Sequence, residues 1–410
     1  MEHISGGVCA AKGFQASGIH CGIRKNRGKR DISMIISEVP ASAAAVYTSN
    51  LVKGAPIYVT QRNLAGGIAQ LAVCNSGNAN TCNADGEEVA WQMCELAGKA
   101  AGIDPHHVIV ASTGVIGQPL SIEPIAQHMS ELYAAVKVNG SQEAAEGIMT
   151  TDTRLKEVAV SFVVDGKVCH LGDVVTMSGV AKGSGMIHPN LATMLVFLTC
   201  DAAISPAMLR KALSDNVKDT FNMVSVDGDT STNDMVSIMA NGLAGNTPID
   251  SENADYAVFC AALNEVTTAL CRMIAKDGEG ASRLLTCVVT GGKTVRDAKL
   301  AAKSVICSSL LKAAIFGADA NWGRVLCALG YSGAEIDVKK VDVAFRSAVG
   351  SIDVCKNGAS IDFSEEKAKE ILLEDEVDVV VTLHDGDASA TAWGCDLTYD
   401  YVKINGDYRS

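Results

Sequence analysis

Short apolar runs alternate with longer segments of helical periodicity along this chain, and no other feature limits the fold as much. Apolar runs of four to eight residues are typical of strands, whereas apolar residues spaced three and four apart over ten or more positions predict helices. The mixture predicts an α/β class. At 410 residues, the chain is long enough for about two to three domains.

Several segments are predicted to be strands or helices. The strands are 32–36, 43–48, 57–60, 71–74, 108–111, 158–164, 194–199, 284–290 and 377–384, and the helices are 87–102, 255–276, 295–316 and 364–373. A further helix is predicted to begin with Ser205 as its cap and Pro206 at its first position. Residues 389–397 are predicted to form a hairpin with the strand before them, and the polar residues 401–410 to fray.

The charge balance excludes several classes of partner. Thirty-four basic and 47 acidic residues give a formal net charge of −13. Because association with phosphates depends on a surplus of Lys and Arg, we expect neither nucleic acid nor an anionic membrane as partner. The basic run 24–30 could contact a phosphate, but a solvated loop before a strand is the favoured interpretation.

The cysteines and the chain ends indicate a cytoplasmic protein. The fourteen cysteines include no CxxC pair, and the closest two are Cys74 and Cys82. We therefore expect buried, reduced thiols and no zinc site. The first residues lack the basic and apolar regions of a signal peptide. The apolar run 191–200 is about half of the ~20 residues that span a bilayer, so no membrane segment is expected.

Two Gly/Lys segments resemble phosphate loops only superficially. Residues 290–294 end in Gly-Lys-Thr, but position 287 is Cys where a phosphate loop has Gly. Residues 179–185 lack the Gly-Lys-Ser/Thr order altogether. Without these glycines the backbone N–H groups cannot surround an anion, so nucleotide binding is not expected.

The segment 181–195 is the one that most suggests chemistry. Its glycines permit close approach of the backbone to a ligand, and Lys182 offers a cation for a carboxylate. From the residues alone, a loop that enters a core strand at Thr193 is the favoured interpretation.

Residues 182–195 read Lys-Gly-Ser-Gly-Met-Ile-His-Pro-Asn-Leu-Ala-Thr-Met-Leu. This segment resembles the self-cleavage segment of the ornithine acetyltransferase family, also called the glutamate N-acetyltransferase or ArgJ family. Other stretches that resemble this family follow one another over essentially the whole chain. They are 46–56, 75–80, 112–117, 149–153, 227–234, 277–281, 317–324 and 405–410. Their number and order make the resemblance specific.

The resemblance implies that the precursor cuts itself between Ala192 and Thr193. Residues 1–192 would form an α chain and 193–410 a β chain, with about 280–410 as a smaller lobe. A threonine hydroxyl needs a base to act as a nucleophile. The cut would release the α-amine of Thr193, whose ordinary pKa is roughly 7.7–8.0, as that base.

The resemblance also implies the substrates and the residues that contact them. The acetyl group would pass from N2-acetyl-L-ornithine to Thr193 as an ester and then to L-glutamate, without metal or cofactor. Thr113 and Gly114 would bind the oxyanion. The substrate-binding residues would be Thr150, Lys182, Thr193, Glu279, Asn405 and Ser410. Thr150 is a modest preference within 150–153.

The implied fold is an α/β, N-terminal-nucleophile-like sandwich of sheets and helices, with a smaller C-terminal α/β lobe. The implied assembly is a heterotetramer of two α and two β chains. Two other functions remain open: an N-terminal-nucleophile amidase or aminopeptidase, which would hand the acyl group to water, and a binding protein without activity. Some members of the family also accept acetyl-CoA, and we lean towards this bifunctional type.

Overall fold

The computed structural model describes residues 1–176 and 194–406, with the side chains of 173–176 left out of the description. The chain divides into two compact units. The first contains Met1–Phe221 and Asp229–Leu270, and the second contains Asn222–Gly228 and the residues from Cys271 onward. Both units combine helices with a sheet, so the predicted α/β class is confirmed.

The first unit is built on a nine-stranded sheet of described strands, in the order β1-β6-β7-β8-β9-β3-β4-β5, with β2 also paired to β3. The strands are β1 Glu2–Ile4, β2 Phe14–Ile19, β3 Ile32–Tyr47, β4 Ile68–Asn75, β5 Val108–Ser112, β6 Lys156–Val164, β7 Lys167–Thr176, β8 Leu195–Cys200 and β9 Met235–Ala240. The pairs β4–β5 and β8–β9 are parallel. The register of β3 with β4 shifts between Ile36 and Ala41, around Pro40, which has no N–H to give to a ladder.

Alternate residues of β4 pack into two different hydrophobic clusters, which places a core on each face of the sheet. Ala72 and Cys74 belong to one cluster, together with Phe197 of β8. Leu71 and Val73 belong to the other. Because both faces are buried, β4 reads as a continuous apolar run rather than an alternating one.

Among the described residues of the first unit, six helices begin: α1 Ala55–Asn63, α2 Gly86–Ala101, α3 Glu123–Ala134, α4 Ser141–Ile148, α5 Pro206–Asn216 and α6 Ala254–Lys276. The predicted start of α5 is confirmed, because the Ser205 side chain accepts the Met208 N–H. The predicted strand 57–60 is wrong, since these residues lie inside α1. A short apolar run fits a strand or a buried helix equally, and Pro56 in the first turn favours the helix.

Helix α6 is long and apolar enough to cross a membrane by length and composition, with a mean hydropathy of 1.4. Its buried residues, such as Phe259, Leu263, Val266 and Leu270, recur three and four apart, as in a helix that packs one face on a core. The opposite face carries polar side chains such as Glu265. This pattern is typical of a core helix.

The second unit contains a six-stranded sheet of described strands in the order β13-β12-β11-β14-β10-β15. The strands are β10 Leu284–Gly292, β11 Asp342–Ser347, β12 Gly350–Lys356, β13 Ala359–Ser360, β14 Glu376–Thr382 and β15 Ala388–Cys395. The predicted hairpin between β14 and β15 is wrong, because β10 lies between them and pairs parallel with β14 and antiparallel with β15. An Asp-Gly turn signals a reversal of the chain, and that reversal can also pass over a neighbouring strand.

The helices of the second unit are α7 Val295–Cys307, α8 Ser309–Phe316, α9 Trp322–Gly330, α10 Glu365–Leu372 and α11 Tyr399–Gly406. The single helix predicted over 295–316 is divided at Ser308, whose backbone is extended and whose side chain accepts the Leu311 N–H. A serine cap inside an apolar pattern starts a new helix. Residues 401–406, which polarity alone predicts to fray, are helical in α11.

Candidate functional site

Asn233 is the most extensively hydrogen-bonded side chain of the candidate site in the first unit. Its amide nitrogen donates to the carbonyl oxygens of Ala79, at 2.6 Å, and Ser112, at 3.0 Å. Its amide oxygen accepts from the hydroxyls of Thr81 and Thr232, each at 2.6 Å. These four bonds use the full capacity of a side-chain amide. We call Asn233 and these four partners the Asn233 network.

A second stretch of chain, 46–56, runs along the residues before Asn233. The Thr48 hydroxyl donates to the Ser231 carbonyl oxygen at 2.7 Å, and the Gly54 N–H donates to the Thr232 carbonyl oxygen at 2.9 Å. A Cβ atom on Gly54 would lie 2.4 Å from Nδ2 of Asn233, so the close approach requires glycine. Four of the stretches singled out in the sequence, 46–56, 75–80, 112–117 and 227–234, therefore meet around Asn233.

Thr113 and Gly114 follow directly after β5 and next to this network. The Thr113 N–H donates to the Asn75 carbonyl oxygen at 2.9 Å. Gly114 has a φ of 131°, and a Cβ there would lie 2.3 Å from the Gly77 carbonyl carbon. No side chain other than hydrogen fits at this position, so the fold requires glycine here.

The Thr113 hydroxyl is fully buried and has no hydrogen-bond partner among the described residues. A buried polar group without a partner costs about 1–3 kcal/mol, and such groups in native proteins call for an explanation. A donor held ready for an absent ligand supplies one. Thr113 and Gly114 thus lie side by side at the end of β5, where the sequence predicts an oxyanion-binding pair.

Thr150 lies two residues beyond α4, in the first unit. Its N–H donates to Oδ2 of Asp152 at 3.0 Å. The other carboxylate oxygen of Asp152 pairs with the buried Lys156 ammonium at 2.9 Å. Because Asp152 is engaged in this way, its carboxylate holds the turn that presents Thr150.

Glu279 and Asn405 contact each other directly in the second unit. The Asn405 side-chain nitrogen donates to Oε2 of Glu279 at 2.8 Å and to the Tyr401 carbonyl oxygen at 2.9 Å. Glu279 is 4% exposed. The structure therefore brings together two residues that lie far apart in the sequence and that were assigned to substrate binding. Oδ1 of Asn405 is buried and has no partner among the described residues.

Four of the predicted site residues, Lys182, Ala192, Thr193 and Ser410, lie outside the described residues. Within the described part, no group of three His, Cys, Asp or Glu side chains is arranged to hold a metal ion. The stretch 227–234 resembles the same family as the other stretches, but the sequence predicts no role for Asn233 or Asp234 within it. The polar, small-residue composition of that stretch directly before an apolar strand was the available signal.

Comparison with known proteins gives a consistent result. The model of the ArgJ family matches residues 15–410. The arginine biosynthesis bifunctional protein ArgJ 1 of Clostridium acetobutylicum is 50% identical over 398 residues, covering 97% of this chain and 96% of that protein. The ArgJ protein of Caldanaerobacter subterraneus is 48% identical over 411 residues, covering 100% of both chains.

Among solved structures, the crystal structure of ArgJ from Bacillus halodurans is 47% identical, with a TM-score of 0.49, and the match covers 52% of this chain and 97% of that chain. On the family match and on full-length relatives at about half identity, this chain belongs to the ArgJ family.

Proposed function

We propose that this protein is a self-cleaving acetyltransferase of arginine biosynthesis. It moves acetyl from N2-acetyl-L-ornithine to L-glutamate through an acetyl ester on Thr193, giving L-ornithine and N-acetyl-L-glutamate. The observation that carries the proposal is the buried, unpartnered Thr113 hydroxyl next to Gly114, in a chain whose family is known. An acyl transfer needs donors in this arrangement, and a structural turn does not.

Self-cleavage supplies the base that the transfer requires. In the uncut chain the nitrogen of residue 193 belongs to a peptide bond and cannot accept a proton. The Thr193 hydroxyl attacks the Ala192 carbonyl carbon, and the C–N bond breaks, which frees the α-amine and leaves an ester on Thr193. Hydrolysis of that ester releases the Ala192 carboxylate and restores the Thr193 hydroxyl. That amine then takes the hydroxyl proton when Thr193 attacks the acetyl carbon. The two products would be an α chain, 1–192, and a β chain, 193–410.

Each step passes through a tetrahedral oxyanion. The Thr113 hydroxyl and the Gly114 N–H are the proposed donors, and the Asn233 network holds them in place through Ser112. Donors that are fixed before the reaction need no reorganisation when charge develops, which is why such sites lower the barrier by several kcal/mol.

The substrates are small amino acids that carry both charges, so the site needs a cation and an anion. We assign Lys182 to a substrate carboxylate and Glu279, held by Asn405, to an ammonium group. Thr150 and Ser410 complete the proposed set with hydroxyl groups. Neutral donors and opposite charges together allow the site to hold either amino acid.

Acceptor dependence is the decisive experiment. We expect purified protein to consume N2-acetyl-L-ornithine rapidly only when L-glutamate is present, and to run as two chains on a denaturing gel. An amidase would consume the donor equally well without glutamate. Thr193→Ala should remain a single 410-residue chain, and a Thr193→Ala chain that is cut at the same place would contradict the assignment of the nucleophile.

The relatives from Clostridium acetobutylicum and Caldanaerobacter subterraneus are named bifunctional proteins, which supports a second donor. We propose acetyl-CoA, whose thioester would acetylate Thr193 and so form N-acetyl-L-glutamate without acetylornithine. Glutamate supplied with acetyl-CoA alone should then be acetylated. We further propose that the α and β chains remain together as a heterotetramer in the cytoplasm, which the mass of the native particle would test.

A further inference from the structure

The basic run 24–30, which we call the basic loop, is a charged segment that the proposed reaction does not yet use. It carries five basic residues and no acidic one, in a chain whose formal net charge is −13. Lys25, Arg27 and Lys29 are exposed, and none of the three forms an ion pair with any residue that the structure describes. Arg30 differs, because it pairs with Glu146 at 2.5 Å.

The base of the basic loop is fixed by the carboxylate of Asp31, which is fully buried. Asp31 accepts the N–H groups of Cys21, at 2.6 Å, and Arg24, at 2.9 Å. Further along the loop, the side-chain oxygen of Asn26 accepts the Gly28 N–H at 3.0 Å. The loop is therefore exposed, as the sequence predicts, but its backbone is held in place. A segment that is fixed in advance loses less conformational entropy when a ligand binds to it.

The first residue of the basic loop lies close to the residues proposed for acetyl transfer in the first unit. A Cβ atom on Gly77 would lie 2.9 Å from Cγ of Arg24, and a Cβ atom on Gly114 would lie 2.3 Å from the carbonyl carbon of Gly77. The Arg24 guanidinium also donates to the carbonyl oxygen of Met149, directly before Thr150. Arg24 is thus one contact away from the proposed oxyanion pair and one residue away from Thr150.

Acetyl-CoA, the proposed second donor, has a reactive end and a charged end. Its thioester must reach the oxyanion pair, whereas its diphosphate and 3′-phosphate lie at the other end of a long pantetheine arm. Lysine and arginine side chains bind phosphate groups, and a guanidinium can donate two parallel hydrogen bonds to one of them. The exposed cations of the basic loop follow Arg24 within five residues, which is at most about 18 Å of extended chain. They therefore lie near the acetyl site without being part of it.

We propose that the basic loop binds the phosphate groups of acetyl-CoA while the thioester lies at Thr113 and Gly114. This inference rests on the proposed function, because it names the binding site of the second donor. N2-acetyl-L-ornithine carries no phosphate group, so it does not use the basic loop. The loop therefore serves one donor and not the other.

A nucleic acid also presents phosphates, but the charge distribution favours a small ligand. The net charge of −13 repels a long polyanion, which senses the field of the whole protein. A single CoA molecule needs only the local group of cations. Nucleic acid is consequently the alternative that the experiment has to separate.

The double variant Lys25→Ala, Arg27→Ala, made in the full chain, tests the proposal. Because it removes two charge-assisted contacts to phosphate, we expect the KM for acetyl-CoA to rise about tenfold or more. The kcat with acetyl-CoA and both kinetic constants for N2-acetyl-L-ornithine should change by less than about twofold. In the wild type, added salt should raise the KM for acetyl-CoA more steeply than that for acetylornithine, since salt screens exposed charges.

Acetyl-pantetheine separates the loss of phosphate contacts from any other effect, because it has the same thioester and no nucleotide. The wild type and the double variant should use it with equal kcat/KM. An equal loss with acetyl-CoA and with acetyl-pantetheine would overturn the proposal, since the damage would not depend on the phosphates.

Lys99→Ala, Lys167→Ala is the matched control, because it removes the same charge from two exposed lysines outside the basic loop. It should leave the KM for acetyl-CoA unchanged. A rise as large as that of the loop variant would mean that only the net charge matters, and would overturn the proposal.

The remaining outcomes separate this inference from the proposed function. A wild type that transfers no acetyl group from acetylornithine contradicts the proposed function, whereas a loop variant of an active enzyme with a wild-type KM for acetyl-CoA contradicts this inference alone. If the wild type uses acetylornithine but not acetyl-CoA, calorimetric titration with CoA decides. Binding about tenfold tighter to the wild type than to the loop variant supports the phosphate site, and no binding refutes it. An oligonucleotide that binds the wild type and not the variant, with the KM for acetyl-CoA unchanged, would assign the loop to nucleic acid instead.

Discussion

The side-chain amide of Asn233 donates a hydrogen bond to the carbonyl oxygen of Ser112, with a nitrogen–oxygen distance of 3.0 Å. Thr113 follows Ser112 in the sequence, and Asp234 follows Asn233. The side chains of Thr113 and Asp234 each carry a buried polar group that has no hydrogen-bond partner among the described residues. A fully satisfied amide thus lies between two unsatisfied groups. A buried polar group that is left unpaired in a native core calls for an explanation, and a catalytic role is one.

Replacement of Asn233 by alanine should destabilise the first unit. The change leaves the carbonyl oxygens of Ala79 and Ser112 and the hydroxyls of Thr81 and Thr232 without their shared partner. Because several buried groups lose a bond at once, we expect the free energy of unfolding to fall by roughly 3 kcal/mol, measured by urea titration. Asn264→Ala is the control, since Asn264 is exposed and makes a single 3.4 Å contact with Asn216. Equal losses from both variants would contradict the importance of the Asn233 network.

Thr113→Val should separate stability from catalysis. Valine keeps the shape of threonine and removes a hydroxyl that has no partner, so the free energy of unfolding should be unchanged or slightly higher. The loss of one oxyanion donor should lower kcat for acetyl transfer by about 100-fold or more. Thr113→Ser, which restores the hydroxyl, should recover most of the rate.

Thr60→Val provides the opposite control for Thr113→Val. Thr60 is equally buried, but its hydroxyl donates to the Val110 carbonyl oxygen at 2.7 Å and accepts the Val110 N–H at 2.9 Å. Its replacement should cost about 2 kcal/mol of stability and leave kcat near the wild-type value. A Thr113→Val variant that loses stability and keeps its kcat would argue against an oxyanion role.

The helices and strands that local sequence signals specify could be predicted from the sequence, whereas the order of strands in the sheets could not. Long apolar periodicity and a Ser-Pro start identified α6 and α5, because both signals are local. The run 57–60 was misassigned because its apolar residues fit a buried helix as well as a strand. The insertion of β10 between β14 and β15 depends on pairing between residues far apart in the chain, which turn chemistry does not encode.

The site shows the same contrast between local and long-range information. The proposed oxyanion pair, Thr113 and Gly114, could be suggested by resemblance, since the two residues lie in one contiguous stretch. The hydrogen bonds of Asn233 and the burial of Asp234 depend on which carbonyl groups and strands lie beside them, and neither residue type signals this by itself. Residue type alone does not show that the hydrogen-bonding groups of Asn233 all have partners, whereas those of Asp234 have none among the described residues.

Asn405→Ala tests the Glu279–Asn405 pair. Removal of the donor at 2.8 Å from Oε2 of Glu279 takes away one charge-assisted hydrogen bond, worth on the order of 1.4 kcal/mol. If Glu279 binds the ornithine ammonium, kcat/KM for acetylornithine should fall about tenfold. Lys403→Ala, on the exposed part of the same helix, should leave kcat/KM unchanged. An Asn405→Ala variant with wild-type kinetics would remove both residues from the proposed site.

Lys303 should make stability depend on pH in a direction that is unusual for a lysine. Its ammonium donates to the carbonyl oxygens of Asn222 and Val224, and burial lowers its pKa to about 8, compared with about 10.4 in an unfolded chain. Between these values the unfolded chain binds more protons than the folded one. The contribution of Lys303 to the free energy of unfolding therefore rises with pH across that window, by at most ~1.4 kcal/mol per pH unit.

Other groups also titrate at high pH. One is the buried thiol of Cys287, because burial raises its pKa. A comparison with Lys303→Met isolates the contribution of Lys303 from these groups. The difference in unfolding free energy between wild type and Lys303→Met, measured by denaturant titration from pH 7 to pH 10, should shift in favour of the wild type as the pH rises. Lys299→Met, in the same helix, is the control and should give a difference that is flat over this range. If the difference between wild type and Lys303→Met is also independent of pH, the prediction is wrong. The Lys303 ammonium would then be stabilised as fully in the folded protein as in water, because the carbonyl oxygens of Asn222 and Val224 compensate completely for its burial.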